Sequence, residues 1–367
     1  MKKIVYLMEY PIDLPGGAQM STLSICEALS GDARYEPVVI CPELIRHRKE
    51  DYPFRVLEYP MGTGRIRNLF IRIKAFSRYI AEERPDLIHI EMSESLITYG
   101  FIRKKFRDIK YIYTDRGLLF GYRQRSRLFM FPVLRDSDML ITTTEFNKEL
   151  WTEGTDIRPI EVIPNTISSK FFGTYDETKR KTGKKFTVGL AGRICVEKDW
   201  PFAVEFVKAL HDTGLDFRVE IVLSTYEKGD AEKVASIEKE LRDTIGDENL
   251  ELHTEYDQQQ MSDFYYDVDV FLMTSQFESF GKAAVEAMSR RCAIVSTAVG
   301  GLPEVVGMEE NLYDKADFKK GVRCVKMLAD DPAKLAEEQD YFYRRYREKY
   351  TEEKYTEAHR RIYDGLV

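Results

Sequence analysis

Two cations stand five residues apart in Gly189-Leu-Ala-Gly192-Arg193-Ile-Cys-Val-Glu197-Lys198-Asp199, where an apolar strand gives way to a helix. At the carboxyl edge of a parallel sheet, Arg193 and Lys198 could hold a diphosphate and stabilise the negative charge that builds as it departs, without a metal. The plain alternative is a solvated lysine and a surface ion pair with Glu197. Further on, Phe271-Leu-Met-Thr-Ser-Gln-Phe-Glu278-Ser-Phe-Gly281-Lys-Ala-Ala-Val-Glu286-Ala-Met reads as strand, loop, glycine turn and helix. Glu278 falls in the loop, where a carboxylate can meet sugar hydroxyls or a developing oxocarbenium charge. Glu286 falls on the second helical turn, where it could chelate the two hydroxyls of a ribose. The backbone N–H groups of Ser279, Phe280, Gly281 and Lys282 offer further anion or hydroxyl contacts. An exposed helical glutamate is the ordinary reading of Glu286, but its apolar neighbours predict a buried helix, and a buried carboxylate needs partners.

An earlier loop, Glu9 to Gln19, places Gly16 and Gly17 between a strand and a helix. Two glycines there admit close backbone approach to a ligand, and the helix start favours an anion. The loop has no GxGxxG, so the nicotinamide and flavin fingerprint is missing. Asp115 and Arg116 follow a strand and so count as further cleft residues. His89 and Glu91 end the strand before it, and a satisfied structural histidine is the better reading of His89. The triplets Asp136-Ser-Asp138 and Asp267-Val-Asp269 each precede an apolar strand, at its amino end and away from the ligand edge. They are expected to be strand-entry residues, and no metal is expected.

The elements that must position these groups alternate along the whole chain. Strands are predicted at 4–8, 37–41, 87–90, 111–114, 139–143 and 160–163, with helices at 18–29, 66–84 and 93–106. After a polar stretch from Asn165 to Lys185, expected to be the interdomain linker, the alternation restarts, with strands at 187–191, 218–223, 268–273 and 293–297. Helices are predicted at 200–210, 231–245, 258–266 and 283–290, and the end, 340–366, is helical. Near-continuous apolar strands separated by helices predict parallel sheets covered on both faces. The expectation is α/β, with one doubly wound Rossmann-like domain over 1–170, a second over 171–345 and a terminal helix at 346–367. A cleft between two such domains would be the default ligand site. No repeat of 20–50 residues is visible.

Composition narrows the class. The 367 residues are 43% hydrophobic and 12% aromatic, too apolar for a disordered chain. No apolar run reaches the roughly 18 residues of a membrane span, and the N-terminus lacks a signal-peptide pattern. Cys26, Cys41, Cys195, Cys292 and Cys324 are widely spaced and lack a CxxC pair, so they read as reduced cytosolic thiols. Residues 1–165 carry 25 Lys and Arg against 23 Asp and Glu, about +2; the remainder carries 30 against 39, about −9. A net charge of −7 excludes a general nucleic-acid binder.

The early Gly-Gly loop, the Gly-Arg plus Glu-Lys loop, the E-x7-E segment and the later Val299-Gly300-Gly301-Leu-Pro-Glu304 turn occur in one order. Together, over essentially the whole chain, they resemble the family-4 retaining glycosyltransferases (glycosyl transferases group 1) of the GT-B fold. The resemblance implies two facing Rossmann-like domains, with a last helix, here Tyr350–Leu366, crossing back to the first. It implies a nucleotide-sugar donor, a UDP-sugar being favoured, held by the second domain and an acceptor held by the first, with no cofactor. Phosphate neutralisation would fall to Arg193 and Lys198, donor-sugar contact to Glu278 and ribose binding to Glu286. Gly16, Gly17, Ser279, Phe280, Gly281 and Lys282 would complete the donor site, and Asp115 and Arg116 would lie toward the acceptor. The chain departs from the family pattern at two places. Asp115-Arg116-Gly117 replaces a frequent histidine, and Leu223-Ser224-Thr225 stands where a glycine-rich turn often occurs.

The expected reaction is transfer of the sugar, with retention and without a metal, to a glycan or lipid-linked acceptor in bacterial surface polysaccharide synthesis. Two alternatives remain: an epimerase of the same fold, lacking an acceptor groove, and a non-catalytic carbohydrate-binding homologue. Ile66, Leu69, Phe70, Ile73, Phe76 and Ile80 recur at helical spacing among Arg65, Arg67, Arg72, Lys74 and Arg78. For that stretch alone a core-facing helix is expected. With the clusters Arg103-Lys104-Lys105 and Arg123, Arg125, Arg127, the basic first half fits peripheral contact with an anionic membrane from the cytoplasm.

Overall fold

A computed structural model describes residues 1–14, 16–181 and 183–367. Pro15 of the first glycine loop and Thr182 of the polar stretch lie outside the described residues. The chain divides into two compact units, Met1–Ser168 with Glu352–Val367, and Ser169–Thr351.

In the first unit, β1 (Lys2–Leu7) leads through α1 (Gly17–Ser30) to β2 (Tyr35–Pro42) and β3 (Arg55–Tyr59). Then come α2 (Arg65–Glu83), β4 (Leu87–Ile90), α3 (Ser93–Ile102), β5 (Lys110–Asp115), α4 (Gln124–Arg135), β6 (Met139–Thr142), α5 (Glu145–Gly154) and β7 (Ile160–Val162). Among the described residues the sheet has seven strands in the order β3-β2-β1-β4-β5-β6-β7, all parallel. The order reverses between β1 and β4, so their carboxyl ends diverge and leave a crevice. One core lies between the sheet and α2–α5, with Phe76, Tyr99, Leu134 and Trp151 at its centre.

The second unit runs β8 (Thr187–Arg193), α6 (Trp200–His211), β9 (Arg218–Ser224), α7 (Asp230–Ile245), β10 (Leu250–Thr254) and α8 (Gln258–Tyr266). It continues through β11 (Val270–Met273), α9 (Lys282–Ser289), β12 (Ala293–Thr297), α10 (Leu302–Val306), β13 (Leu312–Tyr313), α11 (Phe318–Asp330) and α12 (Pro332–Lys349). Its parallel sheet has the order β10-β9-β8-β11-β12-β13, reversing between β8 and β11.

The last helix, α13 (Glu352–Leu366), belongs to the first unit. Tyr355, Ile362 and Tyr363 join the core on the sheet face that α1 covers. Tyr363 is fully buried, and its hydroxyl meets those of Tyr6 and the ring of His89, each at 2.8 Å.

Several expectations need correction. The terminal helical stretch is two helices, broken at Tyr350 and Thr351, so the returning segment begins at Glu352 rather than 346 or Tyr350. The polar stretch from Asn165 is no free linker at its start. Asn165, Thr166, Ile167 and Phe172 are buried, and the units divide between Ser168 and Ser169 rather than at 170. Strands β3 and β10 go unpredicted because both are sheet edges with charged residues between apolar ones, Arg-Val-Leu-Glu-Tyr and Leu-Glu-Leu-His-Thr. Helix α4 is obscured by its arginines and its interior Pro132.

Candidate active site

The switch point of the second sheet lies between the ends of β8 and β11, and the two loops that follow those strands are joined there by backbone. The amide of Gln276 donates to the carbonyl of Glu197 at 2.8 Å, and Thr274 Oγ1 donates to the carbonyl of Lys198 at 3.2 Å. Trp200 Nε1 donates to the carbonyl of Arg193 at 2.8 Å, fixing the first loop on the start of α6. These bonds bring together two groups 80 positions apart: Lys198 Nζ lies 2.7 Å from Glu278 Oε2. Their side chains keep 20% and 17% of their exposure, so the pair is sheltered yet open to a ligand. Lys198 therefore pairs with Glu278, and the simple surface pair with Glu197 does not form. Arg193, the last residue of β8, is exposed.

The glycine turn after Glu278 is sterically dictated. Gly300 sits at φ +57°, and a Cβ there would stand 1.9 Å from the carbonyl oxygen of Glu278, which accepts the Gly301 amide at 3.0 Å. Gly281 sits at φ +95° and caps α9. Phe280 is buried and meets the Tyr350 ring edge-on at 5.7 Å, so its side chain anchors the loop and only its backbone can face a ligand. Ser279 and Lys282 flank it, both half-buried.

Glu286 lies on the second turn of α9, half-buried, with Oε2 accepting the Tyr265 hydroxyl at 3.0 Å. Burial pushes its carboxyl above the usual range, while Lys282, the Tyr265 hydroxyl and Lys198 pull it back. A carboxylate so placed, near two ammonium groups, is suited to accepting hydroxyl hydrogen bonds.

The first unit places its site candidates differently. Gly16 and Gly17 head α1 after β1, as their spacing predicts, and no acidic residue occupies the first turn. Asp115 does not reach the ligand edge. It is fully buried, accepting Trp151 Nε1 at 2.6 Å, the Gly117 amide at 3.0 Å and the Tyr122 hydroxyl at 2.5 Å. With both oxygens so occupied it builds the turn, and an acceptor contact through its side chain does not hold. Arg116 is half-buried and held by Glu91 at 2.8 Å, by Asn165 and by the Tyr355 hydroxyl at 3.1 Å. His89 is the satisfied histidine expected, bonded to Tyr363 and Thr114, with burial and then Arg116 pushing it down to about 3.

Sequence reasoning missed Glu9. It follows β1 at the first switch point, accepts the Ser95 amide at 2.8 Å, and burial raises it to about 7. Its place after the first strand was the available signal.

Each Asp-x-Asp triplet is consumed by structure. Asp138 accepts the Tyr111 amide at 2.9 Å and Asp136 pairs with Arg103 at 2.6 Å, while Asp269 accepts the Thr187 amide at 2.9 Å and pairs with Arg180. Among the described residues, Glu220, Glu251 and His253 on β9 and β10 have ligand types close together. They lie on strand interiors away from the two loops, and Arg218 pairs with Glu251.

Both units thus carry the doubly wound, two-Rossmann-domain architecture of GT-B glycosyltransferases. Sucrose-phosphate synthase from Thermosynechococcus elongatus matches with a TM-score of 0.81 at 17% identity, over 100% of this chain and 99% of that one. Anabaena HepE in complex with UDP-glucose matches with a TM-score of 0.80 at 15% identity, over 100% of both chains. Residues 15–171 match Glycosyltransferase Family 4 and residues 173–349 match Glycosyl transferases group 1. The chain belongs to the family-4, group 1 glycosyltransferases. A curated relative is the phosphatidylinositol N-acetylglucosaminyltransferase GPI3 subunit of Saccharomyces cerevisiae, 24% identical over 283 residues, 74% of this chain. The match spans 58% of that relative's length.

Proposed function

We propose that this chain transfers a sugar from a UDP-sugar to a hydroxyl of a glycan or lipid-linked acceptor, with retention and without a metal. The observation that carries the reading is the Lys198–Glu278 pair at 2.7 Å at the switch point of the second sheet. The likeness to HepE, solved with UDP-glucose, favours uridine as the base.

In this reading Arg193 and Lys198 meet the diphosphate, Glu278 holds donor-sugar hydroxyls and Glu286 receives the ribose. The bond between the anomeric carbon and the phosphate oxygen breaks as the acceptor oxygen bonds the same face. The acceptor proton passes to the leaving phosphate oxygen, and UDP departs with it. Such a step needs no protein base, only fixed positive charge where negative charge develops. Acceptor recognition falls to the first unit, and surface-polysaccharide assembly on the cytoplasmic side is the setting proposed.

Thermal shift against nucleoside diphosphates and their sugars tests the donor. UDP at about 100 times its dissociation constant should add about 2.7 kcal/mol. UDP release should persist in excess chelator and rise when an acceptor is added. A protein stabilised by no nucleoside diphosphate or its sugar would end the reading.

A further inference from the structure

The apolar stripe of α2 divides along its length. Phe76 and Ile80 are fully buried, but Ile66 and Phe70, one turn apart at the helix start, are 74% and 65% exposed. Helix α4 repeats the pattern. Met130, Val133 and Leu134 face the core, while Leu128 and Phe129 are 73% and 57% exposed. Scattered exposed apolar side chains need no explanation, but a concentration of them does. Here they stand on helices of one layer, since α3 packs against both α2 and α4.

Acid is absent from most of these segments. Between Glu58 and Glu82 the chain has five cations and no carboxylate, and between Asp115 and Asp136 it has five arginines and no carboxylate. Some of these serve the fold. Arg72 is buried against Glu94 and Thr98, and Arg127 donates to the carbonyls of Leu119 and Tyr122. Arg67, Lys74, Arg123 and Arg125 are exposed and make no ion pair among the described residues.

A protein partner would favour an apolar centre with charge kept to the rim. On α2 and α4 the cations alternate with Ile, Phe and Leu instead. That mixture suits a headgroup boundary, where apolar side chains enter the acyl edge and cations meet lipid phosphates. We propose that the outer face of α2 and α4 docks on an anionic lipid bilayer. The purpose rests on the lipid-linked acceptor reading above; the measurement does not.

The test is co-sedimentation with vesicles of phosphatidylcholine alone or mixed with phosphatidylglycerol, at low and high salt. The protein should bind the anionic vesicles at low salt and be released by high salt. Replacing Arg67, Lys74, Arg123 and Arg125 by Ser should weaken low-salt partition on the order of 10³-fold. Ile66→Ser with Phe70→Ser and Leu128→Ser should weaken it about tenfold even at low salt. All seven side chains are exposed, and an unchanged UDP-induced thermal shift in each variant would show that fold and donor site persist. Absence of low-salt binding, or binding indifferent to both variants, overturns the proposal. So does a lipid-free dimer that the apolar variant dissolves, which would assign the face to a second copy. Either result leaves the transferase reading standing, because UDP binding reports on it separately.

Discussion

The carboxyl edges of the two sheets share a topology and differ in what they do with charge. In the second unit the charged groups stay partly wet: Lys198 and Glu278 each keep about a fifth of their exposure, and Arg193 is open. In the first unit the groups at the matching strand ends are drawn inside. Asp115, Glu91 and His89 have almost no exposure; Trp151 meets Asp115, Arg116 meets Glu91 Oε2, and Tyr363 and Thr114 meet the two ring nitrogens of His89, while Glu91 Oε1 is buried without a hydrogen-bond partner. In the function proposed above, the wet edge would exchange an internal partner for a ligand, a diphosphate displacing Glu278 from Lys198. The other fixes its own loop and the returning helix.

The sharpest way to break this contrast is to remove charge from the wet edge. Arg193→Ala or Lys198→Ala should each lower turnover by about 10²-fold or more, with little change in melting temperature. Near-normal turnover in a well-folded double variant would show that the exposed cations are only solvated surface. At the dry edge the balance should invert. Asp115→Ala leaves the Trp151 and Tyr122 donors without their acceptor in a buried site, at a stability cost of about 3 kcal/mol. Denaturant unfolding should report that loss while UDP affinity stays within about twofold. Equal loss of UDP affinity would place Asp115 in the ligand site after all.

Acid gives a smaller and more graded comparison. Burial holds His89 near 3, with Arg116 assisting, and holds His359 near 3, with His89 assisting. Both fold as neutral rings, whereas the unfolded chain protonates them near pH 6.5. The unfolded state therefore binds more protons below that pH. The stabilising contribution is whole above about 6.5 and is lost as pH falls toward 3, with each histidine adding a slope of up to about 1.4 kcal/mol per pH unit. Stability measured from pH 7 to pH 4 should fall less steeply in His359→Gln. Parallel curves for the two proteins would remove the histidines from the account.

What could be read in the sequence follows the range of the interactions. The α/β alternation, the loop after β8 and the strand–loop–helix around Glu278 are local patterns, and local patterns carried them. Central strands such as Leu87–Ile90 were legible to the residue because both their faces are buried. The edge strands were not, since half their side chains face water. Long-range partners left no local mark. Nothing near Arg116 announces Tyr355, 239 positions away, and nothing near Glu278 announces that position 300 must lack a Cβ. The stripe on α2 shows the opposite error: helical spacing gave a single apolar face, but the core reaches only part of the helix.

The return of α13 sets the order in which the molecule can be completed during synthesis. Tyr6 lies at the start of the chain and its hydroxyl partner, Tyr363, near the end, with the whole of Ser169–Thr351 made between them. At about 5–20 residues per second, those roughly 180 residues take on the order of ten seconds or longer. Throughout that interval the sheet face bearing Tyr6, Val39 and Ile112 is covered by α1 but lacks α13. The unit that is translated first is therefore finished last, and a nascent chain holds a half-covered apolar sheet face until α13 emerges.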